Sequence, residues 1–173
     1  MKGCPLRCRW CHNPEGLSSE PQTIRSAVGE RVAGREMSSQ DLARLINGQG
    51  DILRAGEGGV TFSGGEPLMQ ADFLYEVIGK LEDTHVLLDT SGYGEFRAFE
   101  RLVGRSDLVY FDLKLIDATA HRDFTGVDNR EILENLGWLA GSGIPFVIRV
   151  PLIPGVTDTS ANLGAIAQRV SSL

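Results

Sequence analysis

Gly59-Val60-Thr61-Phe62-Ser63-Gly64-Gly65-Glu66-Pro67 reads as a short, β-branched strand that breaks into a polar, glycine-rich turn. A helix is expected over 71–81, because Phe73, Leu74, Val77, Ile78 and Leu81 recur at helical spacing on one face. The same order then repeats. Strands are expected over 85–89, Leu108–Asp112 and 145–152. Helices are expected over Phe96–Val103, over 131–140 with Ile132, Leu133, Leu136 and Leu139 on one face, and over 160–170, with a polar helical turn at 119–124. Strand–helix–strand order implies parallel strands with right-handed crossovers, an α/β fold. Short apolar strands of this kind fit a sheet covered by helices. Upstream, residues 12–37 read as a polar loop. A helix starts near Ser38, whose hydroxyl can cap with Asp41 three residues on. Leu42, Leu45 and Ile46 are its apolar stripe, and Gly48 and Gly50 weaken its far end.

Polar residues collect where these strands end. Ser63, Gly64, Gly65 and Glu66 follow the first strand, Asp89 and Thr90 end the second, Asp112 and Lys114 end the third, and Arg149 lies towards the end of the fourth. Parallel α/β folds bind ligands beyond the carboxyl ends of their strands, so one rim is the candidate site.

The only cysteines of the chain, Cys4, Cys8 and Cys11, lie in Lys2-Gly3-Cys4-Pro5-Leu6-Arg7-Cys8-Arg9-Trp10-Cys11-His12-Asn13. Three thiolates at CxxxCxxC spacing can wrap a four-iron cluster from one loop and leave one iron for a substrate. A Cys3His zinc site with His12 is the competing reading, although adjacent Cys11 and His12 make awkward chelators at one tetrahedral centre. A disulfide plus a spare thiol is the plainest alternative.

The chain has 173 residues, enough for one domain with a core, 42% hydrophobic residues and a formal net charge of -6. No long basic run suggests nucleic acid, and no apolar run approaches the roughly 20 residues that cross a bilayer. No signal pattern opens the sequence, so a reducing cytoplasm, which suits thiol ligands, is the expected compartment.

The cysteine spacing with an aromatic before the last thiol resembles the radical S-adenosylmethionine (SAM) enzymes. The string Gly3 to Gly16 is similar to that of the glycyl-radical-enzyme activating enzymes. Further matches are Val60 to Pro67, Leu88-Asp89-Thr90-Ser91-Gly92, Asp112-Leu113-Lys114 and Ile148 to Gly155. The resemblance implies a partial radical SAM (β/α) barrel spanning 1–173, with a 4Fe–4S cluster on Cys4, Cys8 and Cys11 and S-adenosylmethionine on the open iron. Reductive cleavage would give methionine and a 5′-deoxyadenosyl radical, which takes hydrogen from a glycine of a partner glycyl-radical enzyme. A flavodoxin or ferredoxin-type protein would supply the electron, and oxygen would destroy the activity.

Residue by residue, the resemblance places Ser63, Gly64, Gly65 and Glu66 at the amino end of S-adenosylmethionine; an ordinary β–α turn is the alternative. Asp89, Thr90 and Asp112 are oxygen donors that hold a monovalent cation in similar enzymes; solvated strand ends with a salt bridge are the alternative. Lys114 would engage the substrate carboxylate or pair with Asp112. Arg149 would contact a ribose or carboxylate oxygen, or sit in an inner ion pair. Trp10 would lie beside the adenine or pack under the loop, and His12 and Asn13 would hydrogen-bond near the cluster or cap a turn. Trp138, His85 and His121 read as core or surface residues. Relatives carry a strand before the cysteine loop and a further strand after the last helix, so truncation at both ends is expected, and no further CxxC pair signals a ferredoxin-like insert. Another radical SAM activity on a small molecule or peptide, or a non-catalytic metal-binding fragment, remains the alternative function.

Overall fold

The computed structural model describes residues 1–27 and 29–173. The cysteine loop leads through a single 3-10 turn, Pro14–Gly16, into an antiparallel hairpin of β1 (Gln22–Ser26) and β2 (Gly29–Ala33), in which Gln22 pairs with Ala33. Two helices follow, α1 (Ser39–Asn47) and α2 (Gly50–Ala55). The alternation read from the sequence then unfolds as β3 (Gly59–Phe62), α3 (Ala71–Ile78), β4 (His85–Thr90), α4 (Phe96–Val103), β5 (Leu108–Asp112), α5 (Ala118–Thr125), α6 (Arg130–Gly141), β6 (Phe146–Arg149) and α7 (Ser160–Ser171). The second sheet is parallel throughout, in the order β3-β4-β5-β6. Sequential strands lie side by side, so the sheet is an arc of a (β/α) barrel.

Several expectations need correction. The span 12–37 is not all loop: it holds the hairpin, which was missed because its side chains are mostly solvated and carry no apolar alternation. The helix expected over 71–81 is shorter. It follows a 3-10 turn at Pro67–Gln70, and Gly79 caps it after Ile78. Gly48 caps α1, while Gly50 opens a helix that the sequence did not reveal. The polar turn at 119–124 is a full helix, capped by Asp117, whose carboxylate accepts from the Ala120 N–H at 2.7 Å. The last strand covers only Phe146–Arg149 of 145–152, since Pro145 and Pro151 flank it and neither can donate to a ladder. The Ser38 cap is as expected, with the Asp41 N–H donating to Ser38 Oγ at 3.1 Å.

The two faces of the parallel sheet differ. Val86, Leu88, Val109 and Phe111 are buried under the helices, joined by Leu74, Val77, Phe99, Leu102, Leu136 and Leu139. Phe99 meets Phe111 edge to face, with ring centroids 6.1 Å apart. Strand alternation sends the intervening residues, Asp89, Tyr110, Asp112, Val147 and Arg149, to the opposite face. Register aligns Asp89 with Tyr110, and Asp112 with Arg149, so the polar ends of three strands meet. Among the described residues, no helix is long and apolar enough to cross a membrane.

Candidate active site

The cysteine loop is fixed by its backbone. Gly3 N donates to Gly16 O at 2.8 Å, and Cys4 N to Leu17 O at 3.2 Å. On the other side, Arg7 N and Arg9 N donate to Thr125 O and Phe124 O at 2.6 and 3.0 Å, so the loop lies on the end of α5. Leu6 is buried beneath it, and the Arg7 guanidinium donates to the Cys4 and Leu6 carbonyls. The end of α5 is itself pinned by His121, buried by its neighbours, whose Nδ1 donates to Val127 O at 2.7 Å. Burial pushes the His121 pKa down, so the imidazole stays neutral there. His121 thus belongs to the support of the site, whereas the sequence marked it only as core or surface. His85 is exposed, and Trp138 is half-buried against Phe99 at 6.0 Å.

The turn after β3 meets the loop from beneath. Gly65 N donates to Met1 O at 2.8 Å and Glu66 N to Gly3 O at 2.7 Å. The two backbones approach so closely that a Cβ on Gly65 would lie 2.2 Å from Gly3 O and 2.7 Å from Gly16 O. Gly64 has φ +120°, a conformation that L side chains rarely adopt. These are the physical grounds for a double glycine here. Gly65→Ala is expected to cost about 1–3 kcal/mol by overpacking against backbone that cannot rotate away. It should lower the urea midpoint and reduce iron uptake together, because the displaced element is the cysteine loop.

Cys4, Cys8 and Cys11, all free, face one cavity of about 330 Å³ that is also lined by Trp10, His12, Asn13, Ser63, Gly64, Gly65, Glu66, Asp89, Thr90, Asp112, Lys114 and Arg149. Every candidate site residue read from the sequence therefore lies on this cavity. Ser91, which was quoted in a motif but given no role, also lines it. Among the described residues, no three His, Cys, Asp or Glu side chains converge as ligands of a single metal ion. Three thiols around one cavity suit a multi-iron cluster, which spans several ligand positions.

Burial pushes the Cys4 thiol up to about 11 from its ordinary 9.0, against a hydrogen bond from Leu6, and Glu66 and the two sister thiols push the same way. Burial also raises Cys8, while Lys114 opposes it. Without a cluster these are thiols, and metal binding must release their protons. A raised folded-state value means that the metal-free chain keeps this contribution below about 9 and loses it as the pH rises through about 11. Urea midpoints of metal-free protein should therefore fall across that window more steeply than those of Cys4→Ala.

Glu66 is 2% exposed, and its carboxylate is fully engaged. Oε1 accepts from Thr90 Oγ1 at 2.5 Å and Leu68 N at 3.2 Å; Oε2 accepts from Ser91 Oγ at 2.6 Å and Ser91 N at 2.9 Å. Glu66 thus ties the β3 turn to the end of β4 while lining the cavity. Thr90, too, is committed, since its hydroxyl accepts from Gly92 N at 2.9 Å while donating to Glu66.

Asp89, Asp112, Lys114 and Arg149 form one charged chain. Arg149 donates to Asp89 Oδ1, and its Nε donates to Asp112 Oδ1 at 3.0 Å. Lys114 Nζ donates to Asp112 Oδ2 at 3.2 Å. Ser63 Oγ donates to Asp89 Oδ2 at 3.3 Å, and Tyr110 lies beneath the guanidinium at 5.0 Å. Burial pushes Asp89 up despite Arg149. For Arg149, burial works downward but Asp112 and Asp89 outweigh it, raising the guanidinium further. The loop that carries Lys114 is held by the buried Asn162, which donates to Lys114 O at 3.0 Å and Thr157 O at 2.9 Å and accepts from Ile116 N at 3.1 Å. No local sequence signal exposes this role of Asn162, because Lys114 and Ile116, the residues it holds, lie more than forty residues away.

This arrangement has known counterparts. The Radical SAM superfamily model matches residues 1–162. The chain is 36% identical to the pyruvate formate-lyase 2-activating enzyme of Escherichia coli K12 over 94% of this chain and 63% of that protein. It is 34% identical to the trans-4-hydroxy-L-proline dehydratase activating enzyme of Clostridioides difficile over 94% of this chain and 70% of that protein. The crystal structure of a domain of pyruvate-formate lyase-activating enzyme from Bacteroides vulgatus superposes with TM-score 0.63 and 35% identity, covering 67% of this chain and 73% of that one. The chain thus spans about two thirds of the length of the curated relatives. A thiol-lined cavity at the ends of parallel strands, matched along nearly the whole sequence, places this chain in the radical SAM superfamily, in the branch that the activating enzymes form.

Proposed function

We propose that this chain is the catalytic core of an activating enzyme that cleaves S-adenosylmethionine reductively and leaves a radical on a glycine of a partner enzyme. The observation that carries the reading is the single cavity shared by Cys4, Cys8, Cys11 and the charged ends of the parallel strands. Membership of the superfamily brings a 4Fe–4S cluster and S-adenosylmethionine with it. Together, when bound, they supply the one-electron cleavage of a carbon–sulfur bond that yields methionine and a carbon-centred radical.

The chain supplies position and charge. Cys4, Cys8 and Cys11 hold the metal group on a loop whose backbone is tied on both sides. Lys114 and Arg149 offer cations to a ligand carboxylate, and Asp89 and Asp112 hold those cations in place at the strand ends. Gly64 and Gly65 let a ligand approach the main chain, and Trp10 presents an aromatic surface to a purine. Holding the reacting groups in one cavity makes their encounter intramolecular, which removes much of the entropic part of the barrier. The partner is a glycyl-radical enzyme, the reductant a flavodoxin or ferredoxin-type protein, and the compartment a reducing cytoplasm. The partner follows the names of the relatives and the compartment the three free thiols, while the reductant is what the sequence resemblance implies.

The test is anaerobic reconstitution with iron and sulfide, then reduction by dithionite with S-adenosylmethionine. The expected result is 5′-deoxyadenosine without the partner, and a glycyl-radical resonance only with it. Purified protein that carries zinc, or that binds a cluster and releases no 5′-deoxyadenosine, would overturn the reading.

A further inference from the structure

We infer that Arg149 is the resident counter-cation of the strand-end carboxylates, so that the cavity needs no monovalent metal ion to hold Asp89 and Asp112 together. The oxygens that such an ion would use already carry donors. Asp89 Oδ1 and Asp112 Oδ1 both accept from the Arg149 guanidinium. Asp89 Oδ2 accepts from Ser63 Oγ, and Asp112 Oδ2 from Lys114 Nζ. The third expected donor, the Thr90 hydroxyl, is spent on Glu66 and Gly92 N. A hard cation needs a cage of several oxygens free to turn towards it.

Charge points the same way. Two carboxylates face one guanidinium and one ammonium, which is neutral as it stands. A further cation would add uncompensated charge to groups only partly exposed to water, Lys114 being 8% exposed. Register explains why an arginine can do this. Asp112 and Arg149 are direct partners across β5 and β6, and Asp89 lies on the same face one strand further on. The Arg149 side chain spans both strand ends and rests on the Tyr110 ring, yet stays 39% exposed, so it can hold the acids and still face a ligand. A planar guanidinium suits this bridging in a way that an ammonium does not.

The inference deepens the cavity's assignment as a ligand site and rests on it for its meaning, but its measurements need neither cluster nor S-adenosylmethionine, so the two fail separately. Melting temperatures of the metal-free chain are compared in sodium, potassium and tetramethylammonium chloride at equal ionic strength. The wild type should melt within about 1 °C in all three. Arg149→Met, which leaves the two carboxylates facing each other, should melt lower and recover by roughly 3 °C or more in sodium or potassium relative to tetramethylammonium. A saturable rise of the wild type in sodium or potassium would overturn the inference, as would a folded Arg149→Met with no cation preference. If Arg149→Met alone does not fold, Asp89→Asn is added: recovery of a folded chain supports charge compensation, and continued unfolding overturns it.

Discussion

Cys8→Ala is expected to abolish retention of iron and sulfide after anaerobic reconstitution, and with it the broad visible absorption of a cluster. Cys8 lies between two points at which the loop is tied to the end of α5, through Arg7 N and Arg9 N. The loop should therefore keep its course when the thiol is removed, and the loss can be assigned to the ligand rather than to unfolding. Two remaining thiols leave two irons of a four-iron cluster without protein ligands, and solvent then strips the cluster. Unfolding free energies of the metal-free wild type and variant, from urea titrations, should agree within about 0.5 kcal/mol, since Cys8 is a free, only half-buried thiol. Cys11→Ala should behave alike. Cleavage of S-adenosylmethionine would fall to background in both. A Cys8→Ala protein that keeps wild-type iron would show that this thiol is not a ligand, and the reading of the cavity would fail with it.

The sequence was clear where burial wrote a period into it. β3, α4 and β5 have the bounds that Gly59–Phe62, Phe96–Val103 and Leu108–Asp112 suggested, because each sets apolar side chains against one core. The hairpin was illegible for the opposite reason. Thr23, Arg25, Glu30, Arg31 and Val32 all face solvent, so pairing rather than burial holds the two strands, and pairing leaves little trace in composition. At the site, the residue types were readable but not their division of labour. Glu66 and Arg149 were both marked as ligand contacts. Whether a carboxylate at the cavity also ties two turns together depends on which donors the fold brings up, and Ser91 and Leu68 come to Glu66 through the end of β4 and the 3-10 turn. Ser91 was within reach of the sequence, standing beside Asp89 and Thr90 in the same stretch. Asn162 was not.

Glu66→Ala is expected to destabilise the metal-free chain by about 3–5 kcal/mol, a large part of the roughly 5–15 kcal/mol that a domain of this size commonly has. The substitution removes an acceptor shared by four donors: the hydroxyls of Thr90 and Ser91 and the N–H groups of Ser91 and Leu68. It also leaves a gap at the junction of the β3 turn, the end of β4 and the cysteine loop. Glu66→Gln separates the two contributions. The amide fills the same volume, and the hydroxyls can turn to accept from its NH2 group. A backbone N–H cannot turn, and each carboxylate oxygen faces one, Leu68 N at Oε1 and Ser91 N at Oε2. Either orientation of the amide therefore sets one N–H against another. The expected loss is about 1–3 kcal/mol, the cost of one unsatisfied buried donor. The pH dependence runs opposite to that of a salt-bridged carboxylate. Burial pushes the Glu66 carboxyl up, against hydrogen bonds from Ser91 and Thr90. Its contribution is then full below the ordinary glutamate range and is lost as the pH rises through the folded value. Glu66→Gln, which does not titrate, should narrow its deficit relative to wild type as the pH rises through that range. A Glu66→Gln protein as stable as wild type at every pH would mean that the four donors find other partners, and the β3 turn would then be held by its backbone bonds to Met1 and Gly3 alone.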